Sequence, residues 1–274
     1  MNPLIIRDVA IGEGIPKICV SLTSKTKAEL LVDAQAIVGE MDSNGDVVGS
    51  IIDLVEWRVD HYEEIDDNDK ILFDVLEDLR HILGDKPLIF TYRSAGEGGA
   101  GRIERLIDER LCYASYLKTA IDSGLIDMVD IELFQGDEAV TQLIDYAHAH
   151  DVKVIVSNHD FNSTPKLEEL MTRLKKMQDL GADILKIAVM PSDMKDVLTL
   201  LEATVNMSEK YADRPIVTIA MSERGGISRV TGEIFGSSIT FGTLGKSSAP
   251  GQIEASELSK VLIRMHNLFS NFLI

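Results

Sequence analysis

Residues 183–189 read DILKIAV, a short run of branched apolar side chains with one lysine, Lys186, at its centre. The stretches Leu167–Leu180 before it and Met194–Tyr211 after it carry apolar residues at helical spacing. A buried strand between two helices is the unit of a parallel sheet, because parallel strands need a long, usually helical, crossover connection. This segment therefore predicts a fold in which strands and helices alternate.

The same unit recurs along all 274 residues. The predicted strands are Ile18–Leu22, Leu54–Val59, Leu88–Arg93, Met128–Leu133, Val152–His159, Ile184–Val189, Ile216–Met221 and Ser238–Phe241. The other predicted helices are Lys27–Met41, Asp69–Leu83, Ile103–Ser123, Glu138–His150, Ser228–Phe235 and Glu257–Phe269. Eight such units predict an α/β fold, a (β/α)8 TIM barrel, which needs roughly 250 residues in one domain. An open doubly wound sheet is the competing fold, but no GxGxxG motif follows the first strand.

Glycine-rich segments mark the two ends of this barrel. Residues 4–16, which contain Gly12, Gly14 and Pro16, predict an N-terminal β-hairpin that closes the bottom of the barrel. Ser94–Gly101 and Ser247–Gly251 each follow a strand and so lie at the catalytic end. Each of these two loops is either a lid or an ordinary connection. We expect residues 1–274 to form a single catalytic domain.

Composition restricts the class of ligand. The chain has 45 acidic and 27 basic side chains, a net charge of −18, which disfavours nucleic acid and anionic membrane surfaces as partners. An anionic ligand would need a local cluster of cations. The first residues carry no export signal and no apolar run is long enough to span a membrane, so we expect a soluble, cytoplasmic protein. Cys19 and Cys112 lie outside any CxxC motif and no HExxH motif occurs, so no metal is indicated.

Polar side chains occupy alternate positions near the ends of the predicted strands. Because neighbouring residues of a strand point to opposite faces, apolar Val55, Trp57 and Val59 would face helices while Glu56 and Arg58 face the lumen. The same rule turns inward Ser21, Arg93, Asp130, Glu132, Ser157, His159 and Lys186. A single pair such as Glu56 and Arg58 could be a structural salt bridge, but so many buried charges at one end of a barrel favour a catalytic site.

Lys186 is the most informative of these residues. A lysine inside an apolar strand is buried, and burial beside other cations favours the neutral amine that attacks a carbonyl to form a Schiff base. The alternative is an ion pair with Asp130 or Glu132. His159 ends the preceding strand and so lies beside Lys186, where it could transfer protons.

These residues lie in segments that resemble type I 3-dehydroquinate dehydratase, the Schiff-base-forming dehydroquinase of the shikimate pathway. The similar segments are IGEGIPKICVSL (11–22), EWRVDH (56–61), TYRSAGEGG (91–99), SNHDF (157–161), GADILKIAVMP (181–191), SRVTGEIFGS (228–237) and SAPGQI (248–253). They cover nearly the whole chain in the order of the family. The resemblance implies reversible dehydration of 3-dehydroquinate by syn elimination through a lysine imine, without a cofactor and in a homodimer.

The resemblance also implies a role for each matching residue. Lys186 would form the imine, His159 would be the acid and base, and Asp130 would orient His159. Arg229 would bind the substrate carboxylate. The remaining substrate-binding positions implied are Ser21, Glu56, Arg58, Arg93, Glu97, Met221, Phe241, Ser248 and Gln252. Another Schiff-base barrel, such as a class I aldolase, and a non-catalytic barrel that binds a small acid remain the alternatives.

Overall fold

The computed structural model describes residues 2–39, 50–64, 69–100, 109–245 and 247–270. Its strands are β1 (Leu4–Ile6), β2 (Val9–Ile11), β3 (Lys17–Leu22), β4 (Leu54–Arg58), β5 (Leu88–Thr91), β6 (Met128–Glu132), β7 (Lys153–Asp160), β8 (Ile184–Val189), β9 (Ile216–Ala220), β10 (Ile239–Thr243) and β11 (Ile253–Glu254). Its helices are α1 (Lys27–Gly39), α2 (Asp69–Leu83), α3 (Glu109–Asp122), α4 (Asp137–Ala149), α5 (Leu167–Asp179), α6 (Met194–Lys210), α7 (Gly226–Val230), α8 (Gly232–Phe235) and α9 (Ala255–Ser270).

The parallel strands β3 to β10 form the predicted barrel. Each of β3 to β8 pairs with the next strand along the chain, and β10 pairs with β3. The ring closes between β9 and β10 through a bridge from Ile216 to Ser237, beside which the Ser238 amide donates to the Ile216 carbonyl at 2.8 Å. The predicted (β/α)8 architecture is therefore confirmed.

Two apolar layers pack against the barrel strands, one outside them and one in the lumen. Val55, Trp57 and Val59 are buried in the outer layer between strands and helices, as the alternation predicts. The inner layer fills the lower lumen and includes Cys19, and the hairpin of β1 and β2 adds Ile6 and Ile11 to it. The hairpin thus closes the bottom of the barrel, which confirms that prediction. The polar side chains lie above this layer.

Aspartates at the bottom of the barrel fix the starts of alternate strands. Each stands directly before one strand and accepts a hydrogen bond from a backbone N–H of the preceding strand, which would otherwise lack an acceptor at the sheet end. The three pairs are Asp53 with Ile18 at 2.7 Å, Asp127 with Leu88 at 2.8 Å and Asp183 with Val154 at 2.8 Å. These contacts hold the barrel at the end opposite the polar residues.

The structure differs from the prediction at several element boundaries. The predicted helix Ser228–Phe235 is two short helices, α7 and α8, which meet at Thr231. The short strand β11, which pairs with β10, was not predicted. Helix α3 is described only from Glu109, so residues 103–108 of its predicted range lie outside the described residues, as do residues 40–41 of the first predicted helix. In the described ranges, no helix has the length and apolarity needed to cross a membrane.

Candidate active site

The carboxyl ends of the barrel strands surround a pocket of about 520 Å³, part of which is open to solvent. Its walls are Ser21, Glu56, Arg58, Arg93, Glu97, Gly98, His159, Phe161, Lys186, Ala188, Ile219, Met221, Arg229, Phe241, Ser248, Ala249 and Gln252. Every residue predicted to bind substrate lies on these walls, together with Lys186 and His159. Asp130 lies behind the wall, beneath Lys186.

Five wall residues were not predicted, and most of them are apolar. Ala188 and Ile219 lie two residues from Lys186 and Met221, so strand alternation could have identified both. Phe161 follows His159 at the same spacing. Gly98 and Ala249 lie on loops, where no periodicity indicates which way a residue points.

Lys186 is 4% exposed and lies between two carboxylates. Its Nζ donates to Asp130 Oδ2 at 3.0 Å and lies 3.7 Å from Glu56 Oε1. The same nitrogen lies 4.6 Å from the centre of the Phe241 ring. The ion pair with Asp130 considered from the sequence is therefore present, and the amine also opens onto the pocket.

Arg93 links the carboxylates beneath the pocket. Its Nη2 lies 2.8 Å from Asp130 Oδ1, and its Nη1 lies 3.0 Å from Glu132 Oε1. Ser157 donates to Asp130 Oδ1 at 2.6 Å. Burial alone would raise the pKa of Asp130, but the charges of Arg93 and Lys186 outweigh it and hold that pKa well below its usual range. Asp130 is thus ionised throughout the neutral pH range.

His159 is paired with Glu97. Its Nδ1 lies 3.0 Å from Glu97 Oε2, which also accepts the His159 backbone N–H at 2.9 Å. The predicted contact of His159 with Asp130 is not what the structure shows, because Asp130 is bound to Lys186, Arg93 and Ser157 instead. The sequence could not decide this, since Glu97 lies on a loop whose path strand alternation does not determine.

Both members of this pair have shifted acidities. Burial, followed by the charges of Arg93 and Lys186, lowers the pKa of His159 well below its usual value. Burial raises the pKa of Glu97 to about 7. When Glu97 is ionised it can only accept, so His159 Nδ1 must carry the proton and Nε2 is left as a base.

The ends of the adjacent strands β3 and β4 form the polar wall of the pocket on the other side of Lys186. Glu56 accepts from Ser21 Oγ at 2.5 Å and from Thr91 Oγ1 at 2.8 Å. Arg58 makes a two-pronged contact with Asp60, with Nε and Nη2 each 2.8 Å from a carboxylate oxygen. The carboxylate bound to Arg58 is thus that of Asp60 rather than that of Glu56.

Arg229 is a buried cation whose charge is not balanced by an acid of the described residues. It is 2% exposed, and its Nη1 and Nη2 donate to the carbonyls of Phe241 at 3.3 Å and Pro250 at 3.0 Å. Its Nε has no hydrogen-bond partner, and no carboxylate of the described residues lies within 4.0 Å of it. Burial lowers its pKa to about 10, so it remains charged at neutral pH. A pocket wall with such a cation is suited to an anionic ligand.

The two loops at the pocket mouth are tied to the barrel. In the loop after β10, Gln252 bonds to Ser248 through both its amide atoms, and the Ser222 amide donates to the Pro250 carbonyl at 3.2 Å. In the loop after β5, the Ala100 amide donates to Asp60 at 3.1 Å. Their function as lids stays a prediction, and Gly101 and Lys246 lie outside the described residues.

Within the described residues, no group of three or more histidine, cysteine, aspartate or glutamate side chains could hold a metal ion. The pocket wall presents an amine, an imidazole, carboxylates and guanidinium groups. An amine beside an acid–base pair and opposite a free cation can form an imine with a ketone that also carries a carboxylate.

Known proteins resemble this chain in both sequence and fold. Residues 18–268 match the family model described as type I 3-dehydroquinase. A 3-dehydroquinate dehydratase of Salmonella agona (strain SL483) is 50% identical over 266 residues, which are 97% of this chain and 99% of the relative. A solved structure of type I 3-dehydroquinate dehydratase from Clostridium difficile, with covalently modified comenic acid, has a TM-score of 0.88 at 47% identity and covers 97% of this chain and 99% of its own. That of 3-dehydroquinate dehydratase from Geobacillus kaustophilus has a TM-score of 0.88 at 33% identity, with 97% of each chain covered.

Proposed function

We infer that this chain, which belongs to the type I 3-dehydroquinase family, dehydrates 3-dehydroquinate to 3-dehydroshikimate through an imine on Lys186. Its family makes it a hydro-lyase of the shikimate pathway, which confirms the resemblance noted in the sequence. One observation carries the proposed chemistry: the amine of Lys186, the His159–Glu97 pair and the guanidinium of Arg229 open onto one pocket, and the described residues supply no acid to that guanidinium.

The substrate is an anion, and we propose that Arg229 binds its carboxylate. Among the described residues the guanidinium has no acid partner and its Nε has no acceptor, so a carboxylate would supply both its counter-charge and an acceptor. Ser21, Glu56, Arg58 and Arg93, with the loop residues Ser248 and Gln252, would then bind the hydroxyl groups of the ring. Met221 and Phe241 would form the apolar walls. This arrangement fixes the ring with its ketone over Lys186.

The first half of the reaction forms the imine. Lys186 gives one proton to His159, and its neutral amine then attacks the ketone carbon to form a carbinolamine. His159 returns that proton to the carbinolamine hydroxyl, which leaves as water, and an iminium ion remains. Asp130, which lies 3.0 Å from the nitrogen and is held ionised, stabilises the positive charge of that ion. The iminium is an electron sink, so the proton on the adjacent carbon becomes acidic enough for an imidazole to remove.

The second half is the elimination. His159 Nε2 takes the proton from the carbon beside the iminium, and the electron pair of that C–H bond forms the enamine. The enamine then expels the neighbouring hydroxyl, which leaves as water with the proton from His159. The same histidine therefore acts as base and as acid, as a syn elimination requires. Hydrolysis of the product imine frees Lys186, and the net change is the loss of one water.

The acidity of Glu97 sets when His159 can act as the base. If Glu97 is protonated, its hydroxyl donates to Nδ1 and the proton of the imidazole moves to Nε2, which blocks the base. Because burial places the pKa of Glu97 in the ligand-free protein at about 7, we expect kcat/KM to rise with pH through about 7. The titration seen would be that of Glu97, since the pKa of His159 lies well below its usual value.

The test is to trap the imine. The protein is incubated with 3-dehydroquinate and borohydride, its intact mass is measured, and the modified peptide is mapped. The expected result is one adduct at Lys186, with appearance of the conjugated enone product by absorbance in the absence of borohydride. Lys186→Met should abolish both, whereas Lys153→Met, which changes a half-buried lysine at the start of β7, should abolish neither. An active protein without an adduct at Lys186 would refute the mechanism, and an adduct without product would favour an aldolase or a binding protein.

We also propose that the chain is one catalytic domain and acts as a homodimer in the cytoplasm. Exposed apolar side chains on α6 and α9, among them Leu198, Ile263 and Leu268, support an interface between copies. Cys19, a buried free thiol, suits a reducing compartment. Sedimentation equilibrium tests the dimer, a single cooperative unfolding transition tests the single domain, and cell fractionation tests the location.

A further inference from the structure

Asn158 lies outside the pocket, yet it contacts the residue that holds His159. It stands between Ser157 and His159 in β7, so its side chain points to the opposite face of the strand from both. It is 2% exposed. Its Nδ2 donates to Glu97 Oε1 at 3.1 Å, and its Oδ1 accepts from Arg173 Nη1 at 2.7 Å.

Arg173 determines the orientation of this amide. An arginine can only donate, so the oxygen of Asn158 must face Arg173 and its NH2 group must face Glu97. Arg173 is itself fixed on α5 by a hydrogen bond to Glu169, by Asp160 at 3.8 Å and by the ring of Phe134, whose centre lies 5.3 Å away. The Asn158 NH2 group that donates to Glu97 is therefore oriented by a residue of α5, a helix on the outside of the strand barrel.

The hydrogen bonds that Glu97 accepts fix the orientation of its carboxylate. Oε1 accepts from Asn158, and Oε2 accepts from the backbone and the Nδ1 of His159. Building on the proposed function, we propose that Asn158, oriented by Arg173, is a positioning residue that keeps Glu97 ionised and aimed at Nδ1, so that His159 presents Nε2 as the base. Asn158 itself touches no reacting atom.

The effect on pH dependence follows from the charges around this pair. Glu97 is faced by Arg93, whose Nη1 lies 3.6 Å from Oε2, by Glu132 and by His159. His159 is faced in addition by Lys186, Asp130 and Arg58. In this setting the hydrogen bond from Asn158 favours the ionised form of Glu97. An aspartate at 158 would keep the shape and the contact with Arg173, but it would replace that donor with a second negative charge.

The experiment compares kcat/KM as a function of pH in the parent and in three variants. In Asn158→Asp we expect the acid limb of the kcat/KM profile to move to higher pH by about one pH unit or more, with activity recovering toward the parent value above it. In Arg173→Met the amide can rotate, so the limb should move in the same direction by less. Glu169→Gln makes the reverse change, from carboxylate to amide, on the exposed side of Arg173; because a glutamine oxygen can still accept from Arg173, this control should leave the acid limb in place. KM at high pH should stay within about twofold in all three, because no pocket wall changes.

A second measurement reports directly which ring nitrogen of His159 carries the proton. In ¹⁵N-histidine-labelled protein without substrate, the His159 ring should be in the Nδ1–H form in the parent at pH 8, and Asn158→Asp should populate the Nε2–H form. A drop in activity by the same factor at every pH, with an unchanged tautomer, would overturn the proposal. If Asn158→Asp fails to fold, as shown by circular dichroism, Arg173→Met decides by the same two criteria.

The trapping experiment separates this inference from the proposed function. If the parent forms the Lys186 adduct while Asn158→Asp changes neither the acid limb of the pH profile nor the tautomer of His159, only the role of Asn158 is refuted. A parent that forms no adduct would refute the proposed function, and the positioning role in catalysis with it.

Discussion

Replacing Arg229 with methionine should weaken substrate capture without weakening the fold. Methionine keeps the apolar length of the side chain and removes only the buried charge. Burial lowers the pKa of Arg229 to about 10, and because a tenfold change in acidity corresponds to about 1.4 kcal/mol, the charged form costs about 3 kcal/mol in the folded state. This cost is present at every pH below the folded pKa, since the guanidinium is charged in both states there.

Hydrogen bonds offset part of this cost. The contacts with the carbonyls of Phe241 and Pro250 contribute about 1 kcal/mol each, so Arg229→Met should leave the free energy of unfolding unchanged or raise it by about 1 kcal/mol. The same change should remove the ion pair and the hydrogen bonds between the guanidinium and the substrate carboxylate. That loss is worth about 3 kcal/mol, or about 100-fold in kcat/KM.

Arg80 provides the matched control. It lies on α2 at the bottom of the barrel and donates to Asp127 at 2.7 Å and to the carbonyl of Leu125. Arg80→Met should therefore lower the free energy of unfolding and leave kcat/KM unchanged. Urea unfolding of the ligand-free proteins and the absorbance assay measure the two quantities. The reasoning fails if Arg229→Met loses as much stability as Arg80→Met, or if its kcat/KM falls by less than about tenfold.

Three further predictions concern other parts of the barrel. Because the pKa of Glu97 is raised to about 7, the folded state keeps a proton that the unfolded state loses above about 4.5, so the free energy of unfolding falls as pH rises between these values. In urea unfolding, Glu97→Gln should abolish this fall, which is at most about 1.4 kcal/mol per pH unit. The same variant should lower kcat. Gly98→Ala should lower kcat/KM in steady-state assays, because its φ is +83° and a Cβ there would lie 2.3 Å from the Phe161 ring. Asp127→Ala removes the acceptor of the Leu88 amide and the partner of two arginines, and should lower the free energy of unfolding by about 2–4 kcal/mol with KM unchanged.

The strand-borne part of the site was predictable because alternation in a strand has a fixed geometry. Glu56, Arg58 and Lys186 each stand two residues from another inward side chain, and strands of one barrel must bring such residues together. Burial of Trp57 on the opposite face follows from the same rule. A strand position therefore specifies both a face and a height in the barrel.

The loop-borne part was predictable only as far as the family resemblance reached. Which carboxylate meets His159 depends on a 3₁₀ turn at Ala95–Glu97, stabilised by the Gly99 amide bonding to the Ser94 carbonyl. Nothing in residue spacing indicates that this turn folds back over the strand end, so Asp130, which lies on a strand, was the plausible candidate. The boundary at Thr231 was missed for a related reason, because two short helices and one longer one have the same apolar spacing.

The charge of −18 and an anionic substrate are reconciled by where the charges lie. Lys186 and Arg93 are buried and bound to Asp130, so much of their charge is balanced inside the barrel. Arg58 is balanced in the same way by Asp60. Arg229 is the pocket cation for which the described residues supply no acid, and a carboxylate that reaches it enters a region of low dielectric where the attraction is strong and salt screens it little. We therefore expect specific binding to depend on one buried guanidinium, while the acidic exterior opposes rather than assists the approach of the substrate.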